Sequence, residues 1–185
     1  MRKKIGRPPM SGKEWLSVME TAHSMGIKTS ATMMFGHLET SRDRARHLLS
    51  ILELQKKYHG FLSFTPWNFE PGGTRLQKEG GKVTYRAGGQ EVLRNIAISR
   101  IVFSGHLDTI QSSWLTNGVQ MGGQMAILYG ANDWGGGTIY DERVIPATGK
   151  QVGNLRKETI ISGIKQIGMV PVERNNRYEV IREYT

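Results

Sequence analysis

The chain has 185 residues, 38% of them hydrophobic and 22% charged, with no cysteine; this is one ordinary globular domain, too apolar for a disordered chain. No run approaches the ~20 consecutive apolar residues of a membrane-spanning helix. Without cysteine, disulfides, thiolate metal sites and cysteine nucleophiles are excluded together, and cytoplasm is the expected compartment. The formal net charge of +9 and a pI near 9.9 admit nucleic acid, anionic lipid or an anionic small substrate.

Along the chain, Arg2, Lys3, Lys4 and Arg7 form a basic start with no apolar run behind it, the pattern of a tail and not of a secretory signal. Ser11 followed by Glu14 is a capping-box spacing, so a helix is expected there, with Trp15, Val18, Met19, Ala22 and Met25 on one face and Gly26 ending it. Residues 27 to 35 (IKTSATMMF) are short, Thr-rich and closed by Gly36, which predicts a buried strand. Thr40 and Asp43 repeat the helix-start spacing, and Ala45, Leu48, Leu49 and Leu52 form an apolar stripe before Gly60. Residues 61 to 67 (FLSFTPW) read as a second strand.

A glycine-rich connection from about Asn68 to Gln90 is longer than most in compact domains and is a candidate lid or binding loop. Leu93, Ile96, Ala97, Arg100 and Ile101 mark a third helix, and Thr109 to Leu115 a third strand. A fourth helix is expected from Asn117, as N-cap, through Met121, Met125 and Leu128 to Gly130. Asn154 to Ile167 reads as a last amphipathic helix. Met169 to Arg174 and Arg177 to Ile181 then read as a hairpin turning on Asn175-Asn176.

Strands alternating with helices three times over predict an α/β fold with a parallel sheet of right-handed βαβ units, spaced as in a (β/α) barrel. In such a barrel the chemistry sits where strands give way to the following helices. Those exits carry Gly36, His37 and Glu39 after the first strand, Trp67 and Asn68 after the second, and Gln111, Ser113 and Asn117 around the third. His37 and Glu39 are candidates for proton transfer and ligand contact. A purely structural role stays open for each: Gly36 as turn former, His37 as a half-buried histidine, Trp67 as packing. Asn132 and Asp133, ahead of Gly135-Gly136-Gly137, match a ribose clamp or a local turn. They make neither a P-loop nor a Rossmann fingerprint, and no HExxH spacing exists among the histidines, so no zinc site is expected.

The ordered segments ATMMFGHLET (31–40), DRARHLLSILELQKKYHGF (43–61), FTPWNFEP (64–71), SSWLTNG (112–118) and YGANDWGGG (129–137) resemble the radical S-adenosylmethionine enzymes of the futalosine and deazaflavin pathways. The resemblance runs from about Trp15 to Ile181. Trp67 in FTPWNF and the ANDWGG form are most similar to the dehypoxanthine futalosine cyclases of menaquinone biosynthesis, with aminofutalosine synthase and the FO synthase subunit as the alternatives. It implies a TIM-like (β/α) barrel binding S-adenosylmethionine and a [4Fe-4S] cluster, and hydrogen abstraction from the substrate's ribose. The family's CxxxCxxC cluster loop has no counterpart in a chain without cysteine.

The resemblance therefore covers the C-terminal half of such an enzyme: a partial barrel over 1–137 and a C-terminal extension over 138–185, with helix and hairpin packing on the barrel. Its implied substrate or S-adenosylmethionine contacts are His37, Glu39, Trp67, Asn68, Gln111, Ser113, Asn117, Asn132 and Asp133, toward a small nucleoside-derived substrate. A half barrel leaves strand edges unpaired, so an N-terminal barrel half or self-association is expected. No basic stripe interleaves with stacking aromatics, which argues against nucleic acid. A non-catalytic basic binding protein, and a barrel enzyme using His37 and Glu39 as acid and base without radical chemistry, are the rival classes.

Overall fold

The structure, a computed structural model, describes residues 10–78, 83, 86–135 and 155–185. Helix α1 (Gly12–Ser24) starts on the expected capping box: Ser11 Oγ accepts from Glu14 N–H, and the Glu14 carboxylate accepts from Ser11 N–H. Its inward face is Trp15, Leu16, Met19 and His23, whereas Val18 and Met25 are exposed. The expected stripe was thus off by part of a turn, because the buried His23 directs the helix.

Strand β1 (Thr29–Phe35) leads to α2 (Ser41–Tyr58), whose Thr40–Asp43 box is also formed. Leu48, Ile51 and Leu54 of α2 are buried, and Leu49 is exposed. Strand β2 (Phe61–Asn68) pairs with β1 in parallel, matching Ala31 with Phe64, Met33 with Pro66 and Phe35 with Asn68.

The connection from β2 onward is not structureless. It holds a one-turn helix α3 (Arg75–Lys78) and a small core of Phe69, Leu76 and Val83 against Leu38. Helix α4 (Gly89–Phe103) then packs Val92, Ile96 and Phe103 against Ala31, Met33, Phe35 and Phe64, forming the main core with α2.

The expected third strand is reduced to one parallel bridge, Phe64 with Ile110, and a fourth parallel position is marked by Gln111 with Asp133. The reason lies in β2. Phe64 N–H donates to Thr109 and Phe64 C=O accepts from Gln111, so the next ladder donor would be residue 66, a proline without an N–H. Beyond it Ser113 turns left-handed (φ 54°), and Trp114–Asn117 form a short helix, α5. Asn117 is the last residue of α5, not the N-cap of a long helix.

Gly118 (φ 80°) separates α5 from a π-helix, Val119–Met125, which runs into α6 (Ala126–Leu128). The inward face here is Gly122, Gly123 and Ala126, not the expected Met121, Met125 and Leu128 stripe; Met125 and Leu128 are exposed. The glycines are dictated by the Trp134 indole and by the backbone of α5. A Cβ on Gly123 would stand 2.1 Å from the Trp134 ring, and one on Gly122 2.7 Å from Trp114 Cα.

Helix α7 (Lys157–Gln166) packs Ile160 and Ile164 on the Trp114–Trp134 cluster. The last hairpin pairs β3 (Val172–Arg174) with β4 (Val180–Glu183) in antiparallel. Its connection is five residues, not the expected two. Asn175 Oδ1 accepts from Arg177 and Glu179 N–H, and Tyr178 takes φ 66°. The basic start, Gly80-Gly81 and the expected division at 137/138 lie outside the described residues. Among the described residues no helix is long and apolar enough to cross a membrane.

Candidate functional site

The parallel ladder gives the sheet two ends. At the C-terminal end the exits of β1, β2 and the third strand position converge. Asn68, buried at the end of β2, donates through Nδ2 to Ala87 C=O (3.2 Å) and to Asn117 Oδ1 (3.4 Å). Gly36 (φ 84°) closes β1 against the same asparagine: a Cβ there would meet Ala87 Cβ at 2.9 Å and Asn68 Oδ1 at 3.2 Å. Asn68 Oδ1 is buried without a hydrogen-bond partner.

Arg86, which the sequence reading missed, completes this cluster. Its Nη2 donates to Thr116 C=O (2.5 Å) and Asn117 Oδ1 (3.0 Å), and its Nη1 lies 3.3 Å from Glu70 Oε1. The root of the long connection is thereby tied across the strand exits, placing a guanidinium and two amides together. The donors named here are spent within the cluster, so what it offers a ligand is the unpartnered Asn68 Oδ1, an acceptor for an N–H or O–H group. A cavity of about 630 Å³ opens beside it, lined by Asn117, Gly118, Val119, Gln120, Met121 and Met125. The adjacent π-helix is a geometry that recurs at functional sites. Ser113 is buried, and its Oγ is shared with Thr116 Oγ1 (3.1 Å).

His37 and Glu39 are committed to holding the first exit. The Glu39 carboxylate accepts from Gly36 N–H (2.6 Å), His37 N–H (2.9 Å) and Arg44 Nε (2.9 Å), and lies 2.9 Å from His37 Nδ1. Burial pushes this carboxyl up, but hydrogen bonds from the His37 ring and from the Gly36 and His37 amides outweigh it and hold it lowered to about 2. A carboxylate so bound is a clasp and a poor proton acceptor near neutrality. His37 Nε2 faces Met34 C=O at 3.1 Å.

Trp67 pairs with Met34 on the sheet face away from the main core and packs on Trp114, Leu115 and Trp134. Gln111 lies lower on that face. Thr65 Oγ1 donates to Gln111 Oε1 (2.6 Å), Gln111 Nε2 to Tyr178 Oη (3.0 Å), and Tyr178 Oη to Ser63 Oγ (2.7 Å). Asp133 pairs with Arg174, whose guanidinium stacks on Tyr178 at 3.8 Å. The hairpin therefore covers the lower part of this face. Tyr178 and Arg174 were invisible in the sequence, since isolated long-range contacts leave no periodic trace.

Asn132 sits at the opposite end of the sheet from Asn68 and Asn117. Its Oδ1 accepts from Ile110 N–H and Arg100 Nη2 (both 2.9 Å), and its Nδ2 donates to Asp108 C=O (2.9 Å). With Arg100 also bonded to Gly130 and Asp108 carbonyls, this group fastens two strand starts. The structure thus brings Asn68, Asn117 and the Gly36 exit together, and leaves Gln111, Asp133 and Asn132 apart from them.

The chain is 39% identical over 170 residues to the 5-amino-6-(D-ribitylamino)uracil--L-tyrosine 4-hydroxyphenyl transferase of Methanocaldococcus jannaschii, covering 91% of this chain and 46% of that protein. It is 38% identical over 188 residues to one so named from Methanosarcina barkeri, covering 99% and 49%. It is 34% identical over 183 residues to the aminodeoxyfutalosine synthase of Thermus thermophilus, covering 98% and 48%. The chain spans about half the length of these relatives. Residues 58–184 match the family described as the CofH/MqnC C-terminal region, and the chain belongs to that family.

Proposed function

We propose that this chain is the C-terminal, substrate-facing part of a radical S-adenosylmethionine enzyme of the futalosine and deazaflavin group. Membership of the C-terminal-region family, with similarity to two differently named enzymes at about half their length, is the observation that carries this reading. In it the strand-exit cluster of Asn68, Asn117 and Arg86 orients polar groups of a nucleoside-derived substrate. Trp67 and Met34 wall the inner face and exclude water, while Glu39 keeps the Gly36–His37 turn in shape. Gln111, Ser113 and Asp133 line or support that face; Asn132 contributes through the fold alone. The compartment is the cytoplasm.

The chain's own donor set does not fit a thiolate-ligated [4Fe-4S] cluster. It has no cysteine, and no group of three His, Asp or Glu side chains that could hold a metal exists among the described residues. The cluster, and the cleavage of S-adenosylmethionine that it drives, belong in this reading to a half of the barrel that precedes this region.

Trp67 and the Asn132-Asp133-Trp134-Gly135 sequence favour conversion of dehypoxanthine futalosine to its cyclic product. The names of the relatives favour a second reading, transfer of a hydroxyphenyl group from tyrosine to 5-amino-6-(D-ribitylamino)uracil. The test is anaerobic turnover by the chain co-expressed with a barrel half that carries CxxxCxxC, offered each substrate set in parallel. Consumption of dehypoxanthine futalosine alone supports the cyclase, and consumption of tyrosine with the uracil supports the transferase. Turnover by the 185-residue chain without the other half overturns the proposal.

A further inference from the structure

The register of the parallel pair arranges the inner face of the sheet in layers. Ser30 stands beside Ser63, Thr32 beside Thr65 and Met34 beside Trp67, while Ala31, Met33 and Phe35 on the other face enter the main core. The layers inside a (β/α) barrel are ordinarily filled by bulky, branched apolar residues. Here the layer nearest the strand exits is apolar and the two below it carry hydroxyls. Exposure to water does not explain them, since Ser63 and Thr65 are only 1% and 4% exposed.

A side chain from far along the chain reaches them. Tyr178, in the β3–β4 connection, lays its ring against the Arg174 guanidinium at 3.8 Å and brings Oη to Ser63 Oγ (2.7 Å) and Gln111 Nε2 (3.0 Å). Its backbone is left-handed, at φ 66°, a conformation that a bulky residue keeps only where its surroundings hold it there. The hairpin is also fastened through Glu173, which accepts from Lys157 of α7 (2.6 Å), and through the Arg174–Asp133 pair. A strained tyrosine reaching the inner face of the sheet therefore asks for a second purpose.

The polarity of the contacts supplies one. A glutamine amide has two N–H donors and two acceptor lone pairs. Thr65 Oγ1 fills one lone pair of Gln111 (2.6 Å), and Tyr178 Oη takes one N–H. One donor and one acceptor remain, on a half-buried amide whose rotation is stopped at both ends. A hydroxyl uses such a pair fully, accepting from the N–H and donating to the C=O. Thr32, exposed in the same layer, adds a further hydroxyl beside it.

We infer that Tyr178 is a positioning residue: it holds Gln111 so that the spare N–H and C=O of the amide receive a hydroxyl from the sugar-derived portion of the substrate, below the Met34–Trp67 layer. The inference rests on the reading of the chain as the substrate-facing part of an enzyme. It adds which portion of a nucleoside-derived molecule lies against the hydroxyl layers, and which residue of the hairpin prepares the amide for it.

Two measurements test it. In the chain alone, nuclear magnetic resonance follows the Gln111 side-chain NH₂, identified as the signal lost in Gln111→Ala. Tyr178→Phe is expected to speed its exchange with water about 10-fold. Should that variant not fold, Ser63→Ala, which keeps Tyr178 and its contact with Arg174, is expected to move the signal the same way. Unchanged exchange in a folded variant overturns the positioning role. In the chain co-expressed with the CxxxCxxC half, Tyr178→Phe and Gln111→Ala are each expected to raise KM about 10-fold for the substrate converted, dehypoxanthine futalosine or the ribitylaminouracil. Both should leave kcat and the KM for S-adenosylmethionine within about 2-fold, and the double variant should be no worse than Gln111→Ala. Losses that multiply in the double variant, or a fall in kcat with both KM values raised, are what a hairpin serving stability alone produces, and they overturn the inference. A complex that converts neither substrate sinks the enzymatic reading and the hydroxyl seat with it, whereas turnover with uncoupled variants overturns this inference and leaves the reading standing.

Discussion

Replacing Glu39 by glutamine tests the clasp at the first strand exit. The carboxylate receives two backbone N–H groups and the Arg44 Nε, and sits beside the His37 ring. An amide removes the charge and turns an NH₂ toward one of those donors. A carboxyl held at about 2 against an ordinary 4.5 is worth about 3 kcal/mol of folding stability at neutral pH. Because the folded value lies below the unfolded one, that contribution is complete above about pH 4.5 and is lost as pH falls toward 2. Linkage leaves about 2 kcal/mol of it at pH 3.5. Urea unfolding of both proteins, followed by circular dichroism at pH 7 and 3.5, should therefore show a penalty for Glu39→Gln that shrinks by about 1 kcal/mol on acidification. A loss at pH 7 below about 1 kcal/mol, or one unchanged at pH 3.5, would refute the reasoning.

Gly60→Ala places a Cβ 2.1 Å from the buried His23 ring and should cost about 1–3 kcal/mol in chemical denaturation, with His23→Ala restoring part of it. Burial, with Lys28 adding to it, holds His23 below its usual 6.5. Its neutral ring is thus favoured by the fold, so stability should fall as pH drops below about 6.5, and a His23→Phe chain should show a flatter dependence between pH 7.5 and 5.5. Tyr178→Phe keeps the ring under Arg174 but removes the hydroxyl bonds to Ser63 and Gln111; a loss of about 1–2 kcal/mol and faster exchange of hairpin amides are expected, and unchanged exchange would remove the hairpin's anchoring role.

The local signals in the sequence were strong wherever the chain satisfies itself within a few residues. Both capping boxes, at Ser11 with Glu14 and Thr40 with Asp43, formed as written. β2 formed nearly as written, whereas β1 begins at Thr29 and alternates buried with exposed residues in place of the buried strand expected over 27–35, because among the described residues it has a neighbour on one side alone. Legibility failed where a distant residue decides. The third strand broke because Pro66, in a neighbouring strand, cannot donate the next ladder bond. The fourth helix turned a glycine face inward because the Trp134 ring and the backbone of α5 occupy the space a side chain would need. Neither cause has a signature inside the segment it changes.

The candidate site divides along the same line. Of the residues chosen for their place at a strand exit, Asn68, Asn117 and Gly36 stand together at the C-terminal end of the sheet, since the exit rule is a statement about topology. Residue type alone misled at Glu39 and Asn132. A carboxylate beside a histidine suggests proton transfer, yet three donors already occupy it. An asparagine before an aspartate suggests a ribose clamp, yet its amide is consumed by Asp108, Ile110 and Arg100. What separates chemistry from scaffolding here is whether hydrogen-bonding capacity is left over once the fold has been built. Asn68 Oδ1 retains it, buried at the C-terminal end of the sheet where the strand exits meet, and that position outranks every residue whose partners are complete.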